Sequence, residues 1–213
     1  MDYSNRIARE GLIFILPLVI TTIILGAVGM YWWTAFFFIA SSFVIWFFRD
    51  PKRNIPEGGK EVISPADGRV IRIEEIREDT ILKGRFKKIS IFMSVFNVHV
   101  NRIPCSGRVE SILYRKGKFF SANLDKASSL NEKNSVLVKT DDGQEILVVQ
   151  IAGLIARRIV CRIKEGMNVT KGQRFGLIRF GSRLEVFLPL DSTISVKVGD
   201  RVKGGETPIG YLT

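Results

Sequence analysis

Two stretches far apart in the chain carry side chains suited to covalent chemistry. One is Arg179-Phe180-Gly181-Ser182-Arg183-Leu184-Glu185-Val186; the other, Phe96-Asn97-Val98-His99-Val100-Asn101-Arg102-Ile103-Pro104, holds the only histidine. A Gly-Ser pair is ordinarily a turn. Between two apolar, strand-like segments, Phe180-Gly181-Ser182 suggests a second use, in which the serine attacks its own preceding carbonyl, cuts the chain and leaves a pyruvoyl group. Such a step needs a base. A lone histidine is more often a structural donor, yet it is the side chain whose unperturbed pKa lies closest to neutrality, so His99 is the first candidate. Asp67, in Pro65-Ala66-Asp67-Gly68, reads on its own as a turn residue favoured for backbone reasons.

The elements that must hold these residues follow from the rest of the chain. Its 213 residues allow one soluble domain and a small appendage. From Gly11 to Phe48 no residue is charged, and Arg6, Arg9, Glu10, Arg49 and Asp50 flank the run. One crossing needs about 20 apolar residues, so the run is almost long enough for two. Gly26-Ala27-Val28-Gly29 and Tyr31-Trp32-Trp33 lie at its middle, where a turn and an interfacial aromatic belt belong. Arginines on both flanks favour a hairpin with both ends in the cytoplasm; one long tilted crossing or a re-entrant hairpin are the alternatives. The run far exceeds the core of a cleaved signal peptide. Residues 1–49 are therefore expected to anchor the protein in the cell membrane, with a domain over 50–213 on the cytoplasmic face.

The first 50 residues are charge-neutral, so the net +11 belongs to the remainder. A basic domain tethered beside a bilayer suits anionic lipid headgroups. Nucleic acid is the rival partner for such charge, but the aromatics cluster in the apolar N-terminus and leave few for base stacking. Two cysteines without metal spacing and one histidine predict no metal site, and a cytoplasmic face keeps both thiols reduced.

Asp50-Pro51-Lys52-Arg53-Asn54-Ile55-Pro56-Glu57-Gly58-Gly59 reads as a polar linker. Beyond it, short β-branched runs such as Val70-Ile71-Arg72-Ile73, Ser135-Val136-Leu137-Val138 and Ile146-Leu147-Val148-Val149 alternate with turns, and Asp141-Asp142-Gly143 closes a predicted hairpin. Gly153 to Ile163 reads as either a short helix or a strand. Two internal echoes recur: Pro65-Ala66-Asp67-Gly68-Arg69-Val70 with Pro104-Cys105-Ser106-Gly107-Arg108-Val109, and Gly166-Met167-Asn168-Val169-Thr170-Lys171-Gly172 with Ser195-Val196-Lys197-Val198-Gly199-Asp200-Arg201-Val202-Lys203-Gly204. Both resemble turns of biotinyl- and lipoyl-type β-sandwiches. The expected fold is mainly β, a sandwich or barrel-like domain with few short helices, preceded by a transmembrane or re-entrant helical hairpin.

Ser64-Pro65-Ala66-Asp67-Gly68, the segment from Phe96 to Pro104, Gln150-Ile151-Ala152-Gly153 and Phe180-Gly181-Ser182 together resemble the short bacterial and archaeal type of phosphatidylserine decarboxylase proenzyme. The resemblance covers nearly all of the chain beyond the apolar run. It implies a zymogen cut between Gly181 and Ser182 into a β chain 1–181 and an α chain 182–213, associated as a heterodimer and often self-associating further. It implies a covalent pyruvoyl group made from Ser182, which binds the substrate amine as a Schiff base while phosphatidylserine, an anionic serine phospholipid, loses carbon dioxide to become phosphatidylethanolamine. His99 is the implied base, with Asp67 orienting its ring. Longer members commonly carry His-x-x-His where this chain has His99 and Arg102. Arg102, Arg179 and Arg183 are candidates for the lipid phosphate by adjacency, since the guanidinium fork suits phosphate.

An archaeal-type serine lipid with ether chains would use the same chemistry. A serine hydrolase is disfavoured because Phe180-Gly181-Ser182-Arg183-Leu184 lacks both glycines of the Gly-x-Ser-x-Gly elbow. The non-enzyme alternative is a membrane-tethered β-sandwich adaptor with an intact chain.

Overall fold

The structure, a computed structural model, describes residues 6–122, 130–154, 158–179 and 181–213. The chain forms two compact units, Met1–Lys52 and Arg53–Thr213.

The first unit is a helical hairpin. Helix α1 (Leu12–Ala27) and helix α2 (Tyr31–Phe47) are joined by Val28-Gly29-Met30. Its ends meet: the Ala8 amide donates to the Phe48 carbonyl at 2.8 Å, and the Asp50 amide to the Arg6 carbonyl at 2.7 Å. Helices bond most of their backbone polar groups internally, as an apolar medium requires, although Pro17 inside α1 offers no N–H to the turn before it. The Thr22 hydroxyl also turns inward, donating to the Leu18 carbonyl at 2.7 Å. The outer faces are apolar and exposed, including Ile13, Ile23 and Trp32. The helical stretch Arg9–Ala27, at 19 residues, is long and apolar enough to cross a membrane; Tyr31–Phe47 is shorter.

The second unit is β. Its strands are β1 (Glu61–Ile63), β2 (Gly68–Glu78), β3 (Gly84–Met93), β4 (Val100–Arg102), β5 (Gly107–Arg115), β6 (Lys133–Lys139) and β7 (Glu145–Ala152). There follow β8 (Ile159–Cys161), β9 (Asn168–Val169), β10 (Arg174–Ile178), β11 (Ser182–Pro189), β12 (Thr193–Ile194), β13 (Arg201–Val202) and β14 (Pro208–Tyr211). Eight of them curl into a half-barrel in the order β13-β2-β3-β11-β7-β6-β5-β9. Two three-stranded sheets, β4-β10-β8 and β1-β14-β12, complete the unit. The segment from Gly153 to Ile163 thus contributes a strand, because Ile159 and Val160 extend along Ile178 and Leu177 of β10.

Period-2 alternation decides which side chains meet. On β11, Leu184, Val186 and Leu188 join Ile89, Ile91 and Val148 in the main core. Phe187 points to the opposite face, with Leu147, Val149 and Ile151. Each such apolar side chain, fully buried, contributes about 1.5–3 kcal/mol.

The sequence echoes become a pseudo-twofold repeat. Gly68 and Arg69 of β2 pair with Val202 and Arg201 of β13, as Gly107 and Arg108 of β5 pair with Val169 and Asn168 of β9. Both long strands then carry a register shift at the same place, between Val70 and Arg72 and between Val109 and Ser111. The Ile63 amide donates to the Pro104 carbonyl while the Arg102 amide donates to the Pro65 carbonyl, the same contact exchanged between halves. The axis passes beside the Val148–Val186 pair of β7 and β11. Under it, the β6–β7 turn at Gly143 (φ 82°) corresponds to the turn at Gly181 (φ 72°).

Candidate active site

Ser182 opens β11, opposite Met93 of β3 and Ala152 of β7. It is fully buried, and its hydroxyl oxygen has no hydrogen-bond partner among the described residues. Leaving a buried hydroxyl unsatisfied costs about 1–3 kcal/mol, so its retention marks a group kept for something other than packing. The preceding Gly181 holds a left-handed φ of 72°, a conformation costly for residues with a Cβ. Phe180 lies outside the described residues.

His99 is brought to this turn by the β4–β10 ladder, in which Val100 faces Leu177 three positions before Phe180. Its ring is fully buried. Nδ1 lies 3.0 Å from the Asn97 carbonyl oxygen, and Nε2 accepts the Gly181 amide N–H at 3.3 Å. These two contacts select the tautomer with the proton on Nδ1 and the lone pair on Nε2, facing the peptide that precedes Ser182. Asn97 is itself fixed: its Oδ1 accepts from the Ser94 amide at 2.9 Å and the Ser94 hydroxyl at 2.8 Å.

The carbonyl of Gly181 rests against Gly153. A Cβ built on Gly153 would lie 2.3 Å from that oxygen and 3.3 Å from the Ala122 side chain. Asn131, buried beneath, steadies this corner: its amide donates to the Phe120 and Ala152 carbonyls, both at 2.7 Å, and its oxygen accepts the Phe120 N–H at 2.9 Å. Behind the site runs a buried chain of amides. Gln150 donates to Asn101 Oδ1 at 2.8 Å, and Asn134 donates to Gln150 Oε1 at 2.9 Å.

The other residues singled out in the sequence occupy different places. The Asp67 carboxylate forms a salt bridge with Arg53 at 2.8 Å and accepts the Gly204 amide at 2.8 Å. Its repeat mate, Ser106, accepts the Lys171 amide at 3.0 Å, so both halves use this position to tie one turn to another. Arg102 is buried and donates to the Gly172 carbonyl at 3.1 Å. Arg183 is buried beside Glu185 Oε1 at 3.4 Å, and strand alternation turns it away from Ser182. Arg179, half-buried, directly follows β10 and lies two residues before Gly181. Asn97 escaped sequence reasoning because a backbone carbonyl has no residue signature; Gly153 and Gln150 stood in a quoted motif without an assigned role.

The fold and site define a β protein with an N-terminal apolar hairpin and an enclosed Ser–His pair built around one peptide bond. The model of the family described as phosphatidylserine decarboxylase matches residues 40–210. A protein from Syntrophus aciditrophicus named phosphatidylserine decarboxylase proenzyme is 53% identical over 211 residues, 99% of each chain. Proteins of the same name from Desulfotalea psychrophila (45% identical; 97% of this chain, 96% of the relative) and Aromatoleum aromaticum (48%; 97% and 95%) are similar along the same span. The chain belongs to the phosphatidylserine decarboxylase family, which is a family of enzymes.

Proposed function

We propose that this chain is a proenzyme that cuts itself between Gly181 and Ser182 and then decarboxylates phosphatidylserine to phosphatidylethanolamine. The observation that carries the reading is the buried Ser182 hydroxyl, without a hydrogen-bond partner among the described residues, next to a glycine whose amide faces Nε2 of His99.

In the first reaction His99 Nε2 takes the Ser182 hydroxyl proton and the oxygen attacks the Gly181 carbonyl carbon. The Gly181–Ser182 C–N bond breaks, its nitrogen gains the proton, and an ester replaces the amide. Removal of the residue 182 Cα proton then expels the Gly181 carboxylate and leaves dehydroalanine, whose hydrolysis yields the pyruvoyl terminus and ammonia. Asn97 keeps the imidazole in the useful tautomer throughout. Asp67, with Arg53, holds the neighbouring turn.

The residues around position 182 suit a pyruvoyl group: the position is fully buried, and Met93 and Ala152 flank it. When present, that group supplies an electron sink for the pair left by the departing carboxylate, as pyridoxal phosphate does elsewhere. His99 Nε2 would return a proton to the substrate carbon. Exclusion of water favours loss of the charged carboxylate. Of the three arginines, Arg179 best suits the lipid phosphate, since Arg102 and Arg183 are buried against Gly172 and Glu185. The processed chains remain together as a heterodimer, because β11 is hydrogen-bonded on both edges. The hairpin anchors the enzyme in the cell membrane, with the basic domain on the cytoplasmic side beside anionic lipid.

Intact masses of the purified protein and of Ser182→Ala, under denaturing conditions, test the reading. Two fragments, one ending at Gly181 and one with a blocked pyruvoyl terminus, both absent from Ser182→Ala, support it. A single full-length species in both samples of a preparation active on phosphatidylserine overturns it.

A further inference from the structure

After β5 the chain lies backbone against backbone along residues 130–132. The Lys118 amide donates to the Leu130 carbonyl at 2.8 Å, and the Glu132 amide to the Lys118 carbonyl at 3.0 Å. A Cβ on Gly117 would stand 2.6 Å from the Leu130 oxygen and from the Asn131 carbonyl carbon. Asn131 is enclosed in this clasp, 1% exposed. Its Nδ2 donates to the Phe120 and Ala152 carbonyls, both at 2.7 Å, and its Oδ1 accepts the Phe120 N–H at 2.9 Å. Those partners dictate the residue type. Two carbonyls demand two donors and the N–H demands an acceptor, a set that a primary amide supplies. Aspartate would bring a carboxylate oxygen against carbonyl oxygens, and alanine would strand all three backbone groups.

Both walls of the corner where the Gly181 carbonyl rests hang on this amide. One wall is the end of β7. Ala152 is held by both of its backbone groups, its N–H donating to the Glu132 carbonyl at 3.0 Å and its carbonyl accepting from Asn131. Gly153 follows directly, and a Cβ there would stand 2.3 Å from the Gly181 oxygen. The other wall is the segment that Asn131 grips at Phe120. Two residues farther on, the Ala122 side chain lies 3.3 Å from that same Cβ position. Ala152 is also the cross-strand partner of Ser182. Asn131 is thus one hydrogen bond away from the support of the carbonyl and from the neighbour of the serine.

We infer that Asn131 is a positioning residue for self-cleavage, an inference that rests on the reading of the Gly181–Ser182 bond given above. By fixing the Ala152–Gly153 peptide and the Phe120–Ala122 segment together, it holds the Gly181 carbonyl in line for the Ser182 oxygen. It takes no proton and touches no reacting atom. Its part is confined to the first step, in which the serine oxygen adds to the carbonyl carbon and the amide becomes an ester. The later elimination breaks the bond between that ester oxygen and the residue 182 side chain, and does not call on the alignment of the carbonyl.

The test follows the full chain by intact mass as it is synthesised in a cell-free system with phosphatidylcholine nanodiscs. Asn131→Ala and Asn131→Asp are expected to cleave at least about tenfold more slowly than the parent, within the roughly 100-fold cost of misplacing a reacting atom by about an ångström. Hydroxylamine identifies the slowed step. It attacks an ester at Gly181, leaving a hydroxamate there and a free Ser182 amine, so an accumulated ester is cut rapidly. The variants should form the ester slowly, and hydroxylamine should not speed their cleavage. Urea unfolding in the Ser182→Ala background checks that they are folded before urea is added. Ile146→Ala, fully buried at the other end of β7, loses stability through a cavity and should cleave within about threefold of the parent. Should both Asn131 variants unfold, Ala122→Gly decides: it removes the methyl facing Gly153, keeps the hydrogen bonds, and should slow cleavage at least about threefold. Folded Asn131 variants that cleave like the parent, slowing that Ile146→Ala reproduces, rapid cutting of the variants by hydroxylamine, or an indifferent Ala122→Gly where the others unfold each overturns the inference. A parent that never cuts itself overturns the underlying reading instead, so the two fail separately.

Discussion

The Gly181 carbonyl oxygen and the Gly153 backbone are in contact, so close that a Cβ on Gly153 would stand 2.3 Å from that oxygen. The carbonyl that Ser182 would attack is thereby held from behind, and a side chain at 153 must push it off line. Gly153→Ala is expected to slow self-cleavage about 100-fold, the usual cost of misplacing a reacting atom by about an ångström. Gly59→Ala, with nothing within 4 Å of its added methyl, should cleave at the parental rate. Timed intact-mass measurements on the two variants check this.

Gln150 links Asn101 and Asn134 inside the core. Gln150→Leu leaves the oxygen of one and the nitrogen of the other without that partner, at about 1–3 kcal/mol each. Urea unfolding in the Ser182→Ala background should show a loss of about 2–4 kcal/mol. Asn134→Leu added to Gln150→Leu should cost less than the sum of the single effects, because one stranded group is removed.

The two thiols should differ in reactivity. Burial pushes the Cys105 thiol up to about 12, against a smaller opposing pull from Lys171. Burial also raises Cys161, though hydrogen bonds from Ile163 and Asn134 act the other way and the residue is partly exposed. Because the thiolate is the nucleophile, maleimide at pH 8 should modify Cys161 first and reach Cys105 only upon unfolding. Peptide mapping over time reads the order.

Glu78 gives a pH signature. Burial raises its carboxyl, but the amides of Ile81, Leu82 and Thr80 outweigh that and leave it below its usual 4.5. A carboxyl lowered by folding stabilises the protein above its unfolded pKa and loses that contribution as pH falls through the folded value. In the Ser182→Ala background, Glu78→Gln should therefore lower the free energy of urea unfolding at pH 7, by less than about 1 kcal/mol given solvent screening. The gap should close as pH falls below 4.5 and through the lowered folded value.

Two members of the candidate site, His99 and Ser182, stood out in the sequence as the single histidine and a serine after a glycine between apolar strands, and the fold brings the His99 ring to the Gly181 amide. The apolar run and the Asp141-Asp142-Gly143 turn were legible for the same local reason. The echoes were visible too, but their meaning as a twofold repeat needed β13 beside β2 and β9 beside β5, partners that periodicity does not reveal. Asp67 looked like a ring-orienting carboxylate, whereas the described contacts give the ring nitrogen to Asn97 and the carboxylate to Arg53 and Gly204. Arg183 was proposed by adjacency, yet adjacency on a strand means opposite faces.

Strand β11 follows in the chain every strand to which it is hydrogen-bonded. Until it arrives, the half-barrel is split down its middle and His99 has no Gly181 to face. If the chain severs itself at the head of that strand, as proposed, the cut can be made only after β11 has docked between β3 and β7. On that proposal a copy in which β11 has not docked stays uncut, and the break in the backbone is a lasting mark that the strand reached its place.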